Sequence, residues 1–454
     1  MWAGFAQDDW KIRSNFTLNI GVRYEYFAPL REKYNKLSNF NPATGNVEIQ
    51  GQDGRPAGFW DAEKNNIEPR IGLAWQPFHS PKTVVRSGFG IYYNIPATNM
   101  VSSGPQQNNP PFTSAERFNG TRENPILLNN PYPSANATAG TLTLFGFNRR
   151  FRDFQVQQWS LNIQRELTQQ FVVELGYQGS SGTHLPLFYN LNQPLPGTGS
   201  VTQQQARRPF PAYGNITWLD TVGKSNYHGM SLRAEYRSET FSYLLSYTWA
   251  KSIDDAPGTV FNVSPSRSQA QDRNNLRGER GLSGFDVRHR FVFSPVWRLP
   301  LGANVFVRNW EVSSIVTLQT GRPFTALITR DQSNTLDNLS RPDIVGNVNQ
   351  GPRTVAEWFN KKAVQQQTFG TFGNAGRNNI TGPPFKNFDF VVSRTINLNR
   401  IREGWSMQWR AELFNAFNHP NFSPPAQNVD TPSFGQITNA LDPRQMQFGL
   451  KIKF

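Results

Sequence analysis

Five histidines are the residues best suited to hydrolytic or metal chemistry, and His79, His184, His228, His289 and His419 stand far apart in the chain. No two have the HExxH spacing that puts paired imidazoles on one helical face around zinc. Cysteine is absent, which removes thiolate nucleophiles, thiolate metal sites and disulfides and leaves the redox compartment open. The stretch GSSG from Gly179 to Gly182 lacks the GxSxG pattern of a nucleophile elbow; it reads as the beginning of a loop whose serines serve turns. Asp254-Asp255 and the DQSNTLDN run from Asp331 offer oxygens of the kind calcium takes, without the spacing of a calcium loop. His289, between Arg288 and Arg290, is the one position to watch for a hydrolytic constellation, and packing in a core or in an aromatic girdle accounts for it better. The expectation is no enzyme, no cofactor and no metal site.

The elements that must position these residues are strands. The chain ends on RQMQFGLKIKF, in which Met446, Phe448, Leu450, Ile452 and Phe454 alternate with Gln445, Gln447, Gly449, Lys451 and Lys453. Such a strand meets a different solvent on each face. A large hydrophobe held to the last residue, where chain ends ordinarily fray, points to lipid as the apolar solvent.

Composition agrees. Of 454 residues 37% are hydrophobic, yet 35 Phe, 12 Trp and 13 Tyr bring aromatics to 13%, which suits strands and long turns better than helices. The longest apolar runs, FVVEL and YLLSYTWA, are strand-sized, so no helix of about 18 apolar residues crosses a bilayer. The formal charge is +14, but the basic residues are scattered, which argues against a nucleic-acid surface. MWAGFAQDDW has neither the basic nor the apolar region of a secretory signal, and an exported protein with this start is expected to lack its beginning.

Period two recurs along the chain. Phe16, Leu18, Ile20, Val22, Tyr24 and Tyr26 share one face, and so do Phe241, Tyr243, Leu245, Tyr247 and Trp249. Further sets are Trp159, Leu161 and Ile163; Phe171, Val173, Leu175 and Tyr177; Met230, Leu232, Ala234 and Tyr236; Trp310, Val312, Val316 and Leu318; and Trp405, Met407, Trp409, Ala411 and Leu413. About thirteen such segments occur, most about 10 to 14 residues long, against about 9 to 11 for a tilted membrane strand and 5 or 6 for a soluble one.

Connections alternate in length. Short turns fall near Arg13-Ser14, His79 to Pro81, Leu167-Thr168, Ser238-Glu239, Gly302 and Arg402 to Gly404, and long structureless stretches at roughly 28–66, 95–153, 180–225, 252–284, 329–385 and 419–443. Compact soluble domains seldom carry loops of that kind, whereas outer-membrane barrels pair short periplasmic turns with long extracellular loops. If the last strand runs inward, every short turn falls inside and every long loop outside. An odd count cannot close an antiparallel single-chain bacterial barrel. The predicted fold is therefore all-β: an antiparallel transmembrane outer-membrane β-barrel, incomplete, with about 13 C-terminal strands of about 22.

The faces fit. Arg23, Glu25, Arg86, Glu174, Arg233, Glu235, Arg410 and Glu412 lie opposite the apolar parity, towards a hydrated lumen. Arg165 and Arg394 fall on the apolar parity near periplasmic strand ends, where the cost drops to roughly 0 to 1 kcal/mol and a side chain snorkels; a bulge would also account for Arg394. Trp10, Trp75, Trp159, Trp249, Trp297 and Trp405 fall near strand ends as an aromatic girdle does.

Several phrases carry a family resemblance. FAQDDWKIRSNFTLNIGVRYEY resembles a barrel segment of TonB-dependent receptors, and NIEPRIGLAWQPF with VVRSGFGIYYN is similar to that superfamily's next hairpin. SYTWAKSIDD, DVRHRFVFSPVWRLP, TGRPFT, FGNAGRNNITGP and AELFNAFNHPNF resemble the acidobacterial Oar-like group, whose members carry a carboxypeptidase-regulatory-like domain and a plug before the barrel. The likeness covers nearly the whole chain and rests on order and spacing.

The resemblance implies that residues 1–454 are the C-terminal part of such a barrel, and that the whole protein moves a large ligand, carbohydrate or peptide, across the outer membrane. It implies as partners outer-membrane lipid and lipopolysaccharide, the barrel-assembly machinery, the TonB energy-coupling complex through the part not in this chain, and an unidentified extracellular ligand. The closing strand would be the assembly signal, carried here by Phe448, Leu450, Ile452 and Phe454. Competing expectations are a passive porin or surface-adhesion barrel, and a soluble β-rich carbohydrate binder. Trp60, Phe112, Tyr132, Tyr213, Trp218 and Trp358 in the loops suit either sugar stacking or loop packing.

Overall fold

The computed structural model describes all residues except 53–57, 59, 96–108, 113–116, 119, 133–136, 139–140, 256–269, 301–308 and 337–339. Alternating side chains give extended strands, and short turns fold each strand back on its neighbour. The first hairpin joins β1 (Trp2–Arg13) to β2 (Phe16–Tyr26), and the second joins β3 (Asn66–Trp75) to β4 (Thr83–Asn94). Next come β5 (Phe154–Thr168) with β6 (Phe171–Asn190), and β7 (Tyr213–Arg237) with β8 (Phe241–Asp254). β9 (His289–Arg298), β10 (Trp310–Gln319), β11 (Phe385–Asn397), β12 (Ser406–Phe414) and β13 (Gln445–Lys453) complete the path.

These thirteen strands follow one another in sequence order through a single antiparallel sheet of fifteen; the remaining two, Gly281–Leu282 and Leu142–Phe147, branch from β8 and β7. Leu142–Phe147 joins in parallel. The sheet is open, with β1 and β13 at its two edges. Among the described residues no helix is long and apolar enough to cross a membrane, and the spanning elements are strands.

Local chemistry explains the turns. Ser238 closes the β7–β8 hairpin by donating its backbone N–H and its hydroxyl to the carbonyl of Phe241, each at 2.8 Å. Gly404 takes φ +81° before β12, a value that L residues adopt only with strain. Five expected short turns fall within a few residues of the observed ones; Gly302 lies outside the described residues.

Four expectations are corrected. The stretch 180–225 is mostly strand: β6 runs 20 residues and β7 25. Both therefore rise well above the about 9 to 11 residues that cross a bilayer, and GSSG lies inside β6 rather than opening a loop. The long connections are not structureless, for they contain small sheets and buried cores. No bulge carries Arg394, because the ladder Trp310, Arg394, Trp409 crosses β10, β11 and β12 without a register shift.

Candidate functional site

The inner face of the wall carries charge that neutralises itself. Arg23 and Glu25 pair at 2.5 Å, Arg70 and Glu68 at 2.7 Å, Arg233 and Glu235 at 3.1 Å, and Arg410 and Glu412 at 2.6 Å. Each pair is two residues apart on one strand, so both members share a face. Glu174 stands opposite both Gln164 and Arg233, and Arg86 donates to Gln164 at 3.1 Å. All eight charges expected on the lumen side occupy it.

Between these charges runs a lateral row of small and amide residues, Asn19, Gly72, Gly88, Ser160, Gln178 and Gly229, each opposite the next. It borders a hollow of about 570 Å³. Tyr92 lies flat over Gly90, where a Cβ would come 2.8 Å from its hydroxyl, and Tyr227 covers Gly229 at 2.5 Å. Glycine at these positions keeps the aromatic rings against the wall and the lumen wide.

Above the membrane the connections form a folded rim. Leu37, Trp60, Phe147, Phe151, Phe188 and Leu219 make one core, beside a second of Phe40, Leu144, Ile216 and Trp218. Elements far apart in sequence supply them: the hairpin Ser38–Asn41 with Asn46–Ile49, the strand Leu142–Phe147, and the extensions of β6 and β7. That hairpin borders a cleft of about 210 Å³. A third core joins 320–384 to 415–444, with Phe359 edge-on to Phe434 at 5.1 Å and to Phe324 at 5.7 Å.

A buried charge network ties the loop after β8 to the loop after β10. Arg341 grips Glu279 with two bonds of 2.8 and 2.9 Å. Arg377 donates at 2.8 Å to the Glu279 carbonyl and pairs with Asp254. Sequence reasoning missed this network, since loop residues carry no period that marks them as buried.

The candidate residues for chemistry take other roles. His228 and His289 sit on the outer face, each 2.8 Å from a tyrosine hydroxyl, Tyr177 and Tyr247. His184 lies in β6 with φ +56°, and the backbone N–H of His419 donates to Asn415 at 2.9 Å. Asp254 is committed to Arg377 and Asp255 to Arg280 at 3.3 Å. Asp331 accepts from the amides of Thr335 and Leu336 at 2.9 and 2.7 Å and from Gln204 at 2.9 Å. Among the described residues no three His, Asp or Glu converge on a metal-sized space.

Of the loop aromatics, Trp60, Trp218 and Trp358 are buried in cores, Tyr213 packs against one, and Phe112 and Tyr132 are exposed. Phe448, Leu450, Ile452 and Phe454 project from β13 and are exposed; Phe454 meets Trp405 at 6.1 Å. The apolar parity is exposed along the wall as well, at Ile20, Ile71, Leu161, Leu175, Leu232 and Trp297. A water-facing surface would not hold so many large apolar groups in one continuous band.

The family described as outer membrane beta barrel domain matches residues 1–447. The chain belongs to that family. This outer membrane beta barrel domain resides in the outer membrane, its exposed apolar face turned to lipid and its long connections to the outside. Among solved structures it is similar to the outer membrane transporter YddB from Escherichia coli, with a TM-score of 0.54 and 14% identity over 100% of this chain and 45% of that one. The FrpB iron transporter from Neisseria meningitidis gives 0.45 and 13% over 99% and 44%, and the siderophore receptor PiuA from Acinetobacter baumannii 0.47 and 8% over 99% and 42%. The domain thus spans less than half the length of these chains. No curated protein matches the sequence.

Proposed function

We propose that this outer membrane beta barrel domain is the C-terminal wall of a TonB-dependent, Oar-like receptor that takes up a large ligand, carbohydrate or peptide. On this reading residues 1–454 belong to a longer barrel, with a plug and a carboxypeptidase-regulatory-like domain elsewhere in the protein. The TonB complex acts through those parts, and the wall has no enzymatic role. The observation that carries the reading is the pairing of a thirteen-strand wall with a rim of folded loops with buried cores. A lumen of self-neutralised charge and small residues suits passage of a bulky solute better than selection of a small ion.

Phe448, Leu450, Ile452 and Phe454 serve as the signal that the barrel-assembly machinery reads. Their exposure on an edge strand leaves them accessible to a partner.

Two measurements test the proposal. The full-length protein in a planar bilayer should be nearly silent, because a plug fills the lumen; steady open conductance would replace this reading with a passive porin. In whole cells, ligand uptake should stop when the energy-coupling complex is deleted, and uptake that persists would rule active transport out.

A further inference from the structure

The cleft of about 210 Å³ in the rim is lined by Gln50, which follows directly on the hairpin Ser38–Asn41 with Asn46–Ile49. The backbone there is fixed: the Gln50 N–H donates to the Leu37 carbonyl at 2.9 Å, and Gly51 turns the chain beyond it at φ +70°. The Gln50 side chain is buried at 6% exposure, yet neither its amide oxygen nor its amide nitrogen has a hydrogen-bond partner. A buried amide with both ends unpaired is costly and rare.

Among the described residues, the other amide, hydroxyl and charged side chains that line the cleft are already committed. Ser38 donates to the Pro110 carbonyl at 2.8 Å, and Asn39 exchanges two bonds of 3.1 Å with the backbone of Phe147. Asn41 pairs with Glu48, Arg149 with Asp61 at 3.1 Å, and Asn148 with Asp220 at 3.3 Å. Both charged groups thus have partners, and neither is spare for an ionic ligand. Phe147 and Trp218, buried in the rim cores, supply apolar lining beside them.

We propose that Gln50 binds two neighbouring hydroxyls of a neutral hexose ring, the terminal sugar of a larger glycan, in this cleft. A carboxamide presents an acceptor and a donor side by side, and a hydroxyl serves as either, so two adjacent hydroxyls satisfy both ends of Gln50 at once. The Cγ–Cδ torsion of glutamine is broad, and a turn about it brings both atoms into the cleft. A single peptide group cannot do the same, because a trans peptide bond holds its N–H and C=O on opposite sides. The cleft is also smaller than the about 300 to 1,000 Å³ of sites for drug-sized ligands, which suits one ring. The C–H face of that ring meets Phe147 and Trp218 while its hydroxyls meet Gln50. The inference rests on the reading of the rim as the ligand-facing surface of an uptake system, and it selects carbohydrate over peptide.

The test uses the purified full-length protein in detergent micelles and saturation-transfer NMR, with glucose, galactose and mannose as probes and N-acetylglycine methylamide as a peptide mimic. At least one hexose should receive saturation, and the peptide mimic should not compete with it. Gln50→Met, of similar shape without the amide, should weaken hexose binding about tenfold, or about 1.4 kcal/mol. Its thermal midpoint should be no lower than that of the wild type, since the unpaired amide is gone, which separates lost binding from lost folding; Gln50→Leu is a second variant with the same expectation. No saturation of any hexose, equal binding of the peptide mimic, or undiminished hexose binding by the variants would overturn the proposal. Binding is read without energy coupling, so hexose binding that persists while uptake in cells proves passive removes active transport and leaves this site in place.

Discussion

The guanidinium of Arg394 lies 5.7 Å from the ring centre of Trp310, on the mainly apolar outer face. Trp409 stands on its other side, and the two indoles meet edge-on at 5.8 Å. Arg394 is three residues from the periplasmic end of β11, where aromatic rings and headgroups both accept a cation.

Depth therefore decides the cost of charge on this face. Arg394→Leu should change folding stability by less than about 1 kcal/mol, whereas Val316→Arg, on the same face six residues above Trp310, should cost about 2 to 4 kcal/mol. Reversible urea unfolding of the full-length protein in lipid vesicles checks both. Equal effects at the two depths would place the bilayer elsewhere along the strands.

The Glu279–Arg341 pair is buried, with side chains 2% and 9% exposed. Glu279→Ala should destabilise the local packing by about 3 to 5 kcal/mol because it strands a buried guanidinium. Glu279→Leu combined with Arg341→Met should recover most of that loss. Hydrogen exchange in 270–289 and 340–345 reads the change, and wild-type protection in the single variant would contradict the assignment.

Burial pushes the Asp153 carboxyl up to about 6; a hydrogen bond from Asn66 opposes the shift and Glu63 adds to it. The folded state thus holds its proton more tightly than the unfolded chain. The stability from this group is complete below about pH 4 and is lost as pH rises through about 6. Asp153→Asn should raise thermal stability at pH 7.5 by up to about 3 kcal/mol and flatten the profile between pH 4 and 7. A profile still as steep in the variant would assign the titration to another group.

Deleting Phe454 should leave most of the protein outside the membrane as unfolded chain, judged by the heat-modifiable band in purified outer membranes. Replacing it with Trp should restore assembly, since an aromatic at the end of the last strand is retained. Normal assembly after the deletion would remove the signal role of β13.

Much of the wall was legible in the sequence. Phe16 to Tyr26 and Phe241 to Trp249 show their two faces by strict alternation, because lipid and water each act on one side chain at a time and leave a period of two. That alternation gave a count of about thirteen segments, and the main path of the sheet has thirteen strands. The lumenal charges followed from the same parity.

Tertiary structure alone decided the rim. Whether Trp60, Trp218 or Trp358 meets a ligand or a core depends on segments far away in the chain, and such contacts leave no periodic trace. The same holds for Glu279 and Arg341, 62 residues apart, whose burial only the folded loops create. Gly179 to Gly182 have the composition of a turn, yet β6 continues through them because β5 and β7 pair with them on either side. A local pattern records which solvent each residue faces, whereas burial above the membrane is set by which distant segments come together.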